Sequence, residues 1–162
     1  MKIIQNYWFI IILIISLIAI SSALIAEYIF YLMPCKMCLY QRHTYYFIIL
    51  LILIFYLFKR ISPIWIYFLS EIAFLYGIFF TIWHIGIEQK LFSGPEGCAA
   101  SINNATSTED LKKQILNKEI VSCDEVIWTI FGLSAASINL ILLILILFFN
   151  SFFIYKYFYA KK

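Results

Sequence analysis

The sequence predicts an all-α membrane protein: a four-helix transmembrane bundle forming a single domain over its 162 residues. Three observations carry this. The hydrophobic fraction is 64% and the charged fraction 13%, against roughly 45–50% and about 25% in a soluble domain, and so short a chain has no core large enough to hide the excess from water. Four stretches reach the roughly 20 apolar residues that cross a bilayer. Aromatic side chains make up 20% of the residues, which suits belts at membrane–water interfaces. The same composition excludes an ordinary soluble enzyme, a disordered segment and a nucleic-acid binder, and a net charge of +3 points to no polyanionic partner.

The first span, 7–26, is interrupted only by Ser16, Ser21 and Ser22. Lys2 ahead of an apolar run and the triplet Ser21-Ser22-Ala23 are signal-peptide features, but the run is longer than a signal core, so an uncleaved span is expected. A short loop, 27–38, leads to the second span, 39–58, which holds Gln41, Arg42 and His43 near its start and is apolar from Tyr45. The third span, 64–85, contains Glu71 and His84; the fourth, 126–149, is nearly unbroken after Trp128. Between them lies the large loop 86–125. There Thr106-Ser107-Thr108-Glu109 reads as a capping box. Leu111 and Ile115 then share one face, predicting a short amphipathic helix on the membrane surface. Basic residues divide evenly between the two sides, so the positive-inside rule does not orient the bundle. Glu27 and Glu71 gain no role from the sequence, beyond the expectation that an intramembrane carboxylate faces the bundle interior.

The four cysteines are the main chemical signal. Cys35 and Cys38 fall at the first loop and the start of the second span, Cys98 and Cys123 in the large loop. With four spans, both loops lie on one side, so all four thiols share one face of the membrane. If that face is oxidising, two pairs are natural, Cys35 with Cys38 and Cys98 with Cys123, although four cysteines allow three pairings. A bond between Cys98 and Cys123 reads either as a staple on a loop of about 25 residues, worth about 3 kcal/mol, or as a redox pair on a moving loop. The Cys-x-x-Cys reads as a redox dithiol, half of a metal site, or a structural loop. Cys98 and Cys123 are isolated singles, a poor zinc pattern, and no metal site is expected. A helix beginning near Cys35 places the thiols at its N-terminus, where the dipole and free N–H groups favour thiolate. Arg42, four residues after Cys38, shares its helix face; it either steadies a thiolate or ligand oxygen, or snorkels to lipid phosphate. His84 reads either as an interfacial histidine beside Glu88 at i+4 or as a proton donor to a reducible ligand.

Pro34-Cys35-Lys36-Met37-Cys38-Leu39-Tyr40-Gln41-Arg42 resembles the PCxLCxxQR signature of the disulfide bond formation protein B (DsbB) family. His84-Ile85-Gly86-Ile87-Glu88 is similar to its HxGxE stretch, and Cys123-Asp124 through Trp128 with Gly132-Leu133-Ser134 to its PCDxxxW…GLS segment. Two departures stand out: Met37 where leucine is usual, a volume-conserving change, and Ser122 where proline often precedes the loop cysteine, which predicts a looser backbone there. The resemblance implies a bacterial inner-membrane enzyme with cytoplasmic termini and periplasmic cysteines. It reoxidises a periplasmic DsbA-like thiol oxidase and passes the electrons to a membrane quinone, ubiquinone or menaquinone. By the same resemblance, Cys35, Cys38, Cys98 and Cys123 are catalytic, and Arg42 and His84 contact the quinone. Without the resemblance, a metal-delivery protein and a structural subunit with two inert disulfides stay open.

Overall fold

Long runs of Ile, Leu and Phe have no water to bond to in a bilayer, so their backbone closes its own hydrogen bonds as helix. The computed structural model describes residues 2–58, 62–95, 98, 122–124, 126, 129–130 and 132–159. Among these it has four helices: α1 (Lys2–Tyr28), α2 (Lys36–Leu57), α3 (Pro63–Glu88) and α4 (Ala135–Tyr159). Each is long and apolar enough to cross a membrane. The described residues thus form a multi-pass, four-span helical bundle, as the composition predicts. The expected surface helix at 106–116 lies outside the described residues.

The ends of the helices follow local chemistry. The chain leaves α1 through Tyr31, whose φ of 55° lies in the left-handed region. Pro63 opens α3 at a position where its missing N–H costs nothing. The fourth helix departs from the sequence expectation, which began that span at 126. Before it, β1 (Thr129–Ile130) and β2 (Leu133–Ser134) form an antiparallel hairpin, with Thr129 opposite Ser134 and Ile130 opposite Leu133. Gly132 supplies the turn with φ 79°. Helix α4 then starts where the Ser134 hydroxyl accepts the N–H of Ser137 at 3.2 Å, an N-cap bond. Hydropathy reads 126–149 as one nearly unbroken run and does not by itself locate a cap within it.

Phe9, Ile12, Ile48, Ile52, Ile66, Tyr67, Phe74 and Leu143 are buried in one cluster drawn from all four helices. Outward-facing Ile18, Leu50, Ile72 and Phe148 are 57–66% exposed; a helix apolar on both faces suits a lipid surround. One polar clamp closes the far end of the bundle. Trp8 donates its indole N–H to Asn150 Oδ1 at 3.2 Å, and Asn150 Nδ2 donates to the Tyr67 carbonyl at 3.1 Å and to Glu71. Ser151 also bonds Glu71. Glu71 is thus a helix–helix tie between α3 and α4.

Candidate active site

The site forms where the start of α2, the end of α3 and the start of α4 meet. Pro34 has no N–H to donate, and Cys35 follows in extended conformation (φ −73°, ψ 165°) as the N-cap of α2. Its sulfur accepts the N–H of Cys38 at 3.2 Å, the task a serine or aspartate oxygen usually performs. That bond fixes the two sulfurs 2.7 Å apart as a free dithiol. Cys35 is buried and Cys38 half-buried. The hydrogen bond to Cys38, then burial, push the Cys35 thiol well above its ordinary value.

His84, in the last turn of α3, lies with Nε2 3.5 Å from the Cys35 sulfur and 3.9 Å from Glu88 Oε1. Its Nδ1 is 2.9 Å from Gln41 Nε2. Glu88 in turn accepts the Ser134 hydroxyl at 2.7 Å, so the N-cap of α4 is tied to the end of α3. Three stretches singled out in the sequence thus converge on one point. Arg42 points along α2 toward α1, where its guanidinium is ion-paired with Glu27 and donates to the Ala23 carbonyl at 3.3 Å. Glu27, which gained no role from the sequence, is thus the partner of Arg42.

Cys98 and Cys123 are disulfide-bonded, with Cα atoms 5.2 Å apart. The Cys123 N–H donates to the Cys98 carbonyl at 2.7 Å, and both residues are 1% exposed. They pack in one small cluster with Cys35, Met37 and Ile87, against which Cys38 and Trp83 also lie. The expected looseness at Ser122 is countered locally: its hydroxyl reaches the Cys98 carbonyl (3.2 Å) and the Asp124 carboxylate. That hydroxyl also holds the Asp124 carboxyl below its usual range.

A cavity of about 660 Å³ opens beside the dithiol, between α1, the first loop and α4. Cys38, Arg42 and His84 line it together with Gln41, Tyr45 and Asn139; Ile20, Phe30, Met33 and Leu142 are among its apolar walls. Its size falls in the range of small-molecule and cofactor sites, and the mix of apolar wall and few polar groups is typical of them. A quinone, with a polar ring and an apolar tail, fits that donor set. Gln41, Asn139 and Glu27 join the site without having been assigned to it from sequence. Asn139 carried a faint signal, a lone amide in an apolar span, where polar groups tend to be functional. The sulfurs of Cys35 and Cys38 and a His84 ring nitrogen also lie within 4.8 Å of one another, so three groups of soft-metal ligand type sit together where linear spacing showed two.

The family described as "Disulfide bond formation protein DsbB" matches residues 5–153. The chain is also 30% identical over 137 residues to the uncharacterized protein RP370 of Rickettsia prowazekii (strain Madrid E), covering 83% of this chain and 79% of that one. No solved structure matches. A family match across nearly the whole chain, four membrane-spanning helices and a dithiol packed against a disulfide at one end of the bundle lead to one assignment: this protein belongs to the DsbB family of disulfide-forming membrane proteins.

Proposed function

We propose that the chain is a thiol:quinone oxidoreductase of a bacterial inner membrane. Its substrate is a DsbA-like dithiol oxidase on the periplasmic side, and its four cysteines form a two-step relay ending at the cavity. The observation that carries this is the shared cluster: the Cys98–Cys123 disulfide and the Cys35/Cys38 dithiol pack together, and Cys38 lines the cavity.

Disulfide exchange requires a thiolate to attack a sulfur and displace another thiolate. A partner thiolate attacks Cys98, forming a mixed disulfide and releasing Cys123 as thiolate. A second partner thiolate resolves the mixed disulfide and releases Cys98, so the partner leaves oxidised. Cys123 in turn attacks Cys35 of the oxidised Cys35–Cys38 pair and displaces Cys38 as thiolate at the cavity wall. Attack by Cys98 on Cys123 then restores the loop disulfide and leaves Cys35 reduced. The quinone, when bound, supplies the two-electron acceptor. An acceptor of this kind is needed because a partner near about −120 mV is itself a strong oxidant, and each 30 mV of a two-electron couple is about 1.4 kcal/mol. Arg42 holds a ligand oxygen and steadies negative charge beside Cys38; its two contacts to α1 leave other donors of a five-donor guanidinium for that task. His84 holds a proton next to Cys35.

Trapping tests the order. With a thiol oxidase whose second cysteine is replaced by serine, no resolving thiolate is left, and a mixed disulfide with Cys98 is expected to accumulate. A trapped partner bonded to Cys123, with none bonded to Cys98, overturns the relay as drawn. A second reading, metal delivery, is favoured by the three-ligand geometry. It requires stoichiometric metal in the purified protein and no response to quinone.

A further inference from the structure

We propose that Asn139 is a positioning residue which, acting through Gln41, holds His84 as the Nε2–H tautomer and delivers that N–H to the sulfur of Cys35. The tautomer belongs to the protein without quinone; only its consequence for turnover rests on the function proposed above.

The direction of each hydrogen bond follows from one fixed end. The Thr81 hydroxyl donates to the Gly77 carbonyl of its own helix at 2.7 Å. A hydroxyl has one proton, so toward Asn139 it accepts, and Asn139 Nδ2 donates to it at 3.1 Å. That contact orients the amide. Asn139 Oδ1 then faces the Tyr45 hydroxyl, which donates to it, and Asn139 Nδ2 also donates to Gln41 Oε1 at 3.0 Å. With its oxygen so engaged, Gln41 presents Nε2 to His84 Nδ1 at 2.9 Å. An amide nitrogen only donates, so Nδ1 accepts and the single proton of the neutral ring sits on Nε2. Nε2 lies closer to the Cys35 sulfur, 3.5 Å, than to Glu88, 3.9 Å, and Glu88 already takes the Ser134 hydroxyl.

Two N–H groups therefore converge on one sulfur, from His84 and from the backbone of Cys38. When Cys35 gives up its proton, its negative charge meets both. The two sulfurs of the pair have separate helpers: Arg42 lies on the cavity side with Cys38, and His84 stands at Cys35. Closing the disulfide removes two protons and two electrons from the pair, both passing to the quinone proposed above, and needs Cys35 deprotonated. The chain from Thr81 to His84 keeps it poised for that. The same tautomer turns an N–H, not a lone pair, toward the sulfurs, which works against metal binding there.

The test is nitrogen NMR of the full-length, quinone-free, reduced protein with labelled histidine, near pH 8, above the ordinary histidine range. Loss of signals in His84→Gln assigns them. The expected spectrum has His84 Nδ1 unprotonated and Nε2 protonated. Gln41→Glu places an acceptor-only group beside Nδ1, so Nδ1 becomes protonated. Asn139→Leu frees the Gln41 amide, mixes the tautomers and slows alkylation of Cys35, by at most about the tenfold that full loss of one hydrogen bond to a charged group implies. Thr81→Val removes the anchor with little change of shape and shifts the signals in the same sense. A protonated Nδ1 in the unmodified protein, an unprotonated Nδ1 in Gln41→Glu, or His84 signals that Asn139→Leu leaves unchanged each overturn the proposal. Failure of the quinone function leaves these spectra as they are, so the two ideas fail separately.

Discussion

Arg42 and Glu27 are 15 positions apart, yet they form the ion pair that fixes a guanidinium on the cavity wall. Their side chains are 13% and 20% exposed, so each charge is poorly solvated and removing one partner strands the other. Glu27→Gln is expected to lower stability by about 1–2 kcal/mol, less than for a fully buried pair, read from thermal unfolding in detergent. Combined with Arg42→Ala, the two losses should sum to clearly more than the double variant shows, because contacting residues couple; strict additivity would contradict the pairing. In turnover, Arg42→Ala is expected to raise the apparent KM for quinone by about tenfold or more, the loss of one hydrogen bond to a charged donor. An unchanged KM would remove Arg42 from the binding role. His84 has its place through a different kind of constraint, a directional chain of amides and hydroxyls.

Among the helices, α3 is the element that both ends of the bundle depend on. It packs against α2 and α4, and the contact is close at Gly77. A Cβ added there would lie 2.8 Å from Thr44 Oγ1 and 3.1 Å from Leu143 Cδ1. Gly77→Ala is therefore expected to cost about 1–3 kcal/mol through overpacking, and a neutral or stabilising result would mean that α2 and α4 stand further apart. At the far end, Asn150→Leu leaves the Trp8 N–H and Glu71 without their buried partner. It is expected to cost about 1–3 kcal/mol, measured by unfolding, with the cysteine chemistry intact. The helices themselves were legible in the sequence because length and apolar composition decide them. Their ends were less so. The start of α4 depends on a glycine turn and a serine cap inside what hydropathy reads as one run.

Across the whole molecule, a polar end with four cysteines, a cavity and His84 stands opposite a structural clamp at Glu71 and Asn150, with an apolar girdle between them. The cysteines were legible because thiols at short spacing carry chemistry wherever they fold, whereas Arg42 and His84 were singled out as quinone contacts by the family resemblance. The links from Gln41 to Asn139, 98 positions apart, and from Glu27 to Arg42 were not legible, because they depend on how each helix is rotated against its neighbour. Four cysteines allow three pairings, and the bond between Cys98 and Cys123 is read only from the structure. The central claim, a dithiol relay that empties into a membrane quinone, is tested most directly by the alkylation state of all four cysteines in native membranes, with quinone present, after its depletion, and after its return. A quinone-linked relay predicts disulfides that become thiols on depletion and recover when quinone is restored. Cysteines that stay bonded throughout, or stay reduced throughout, would contradict it.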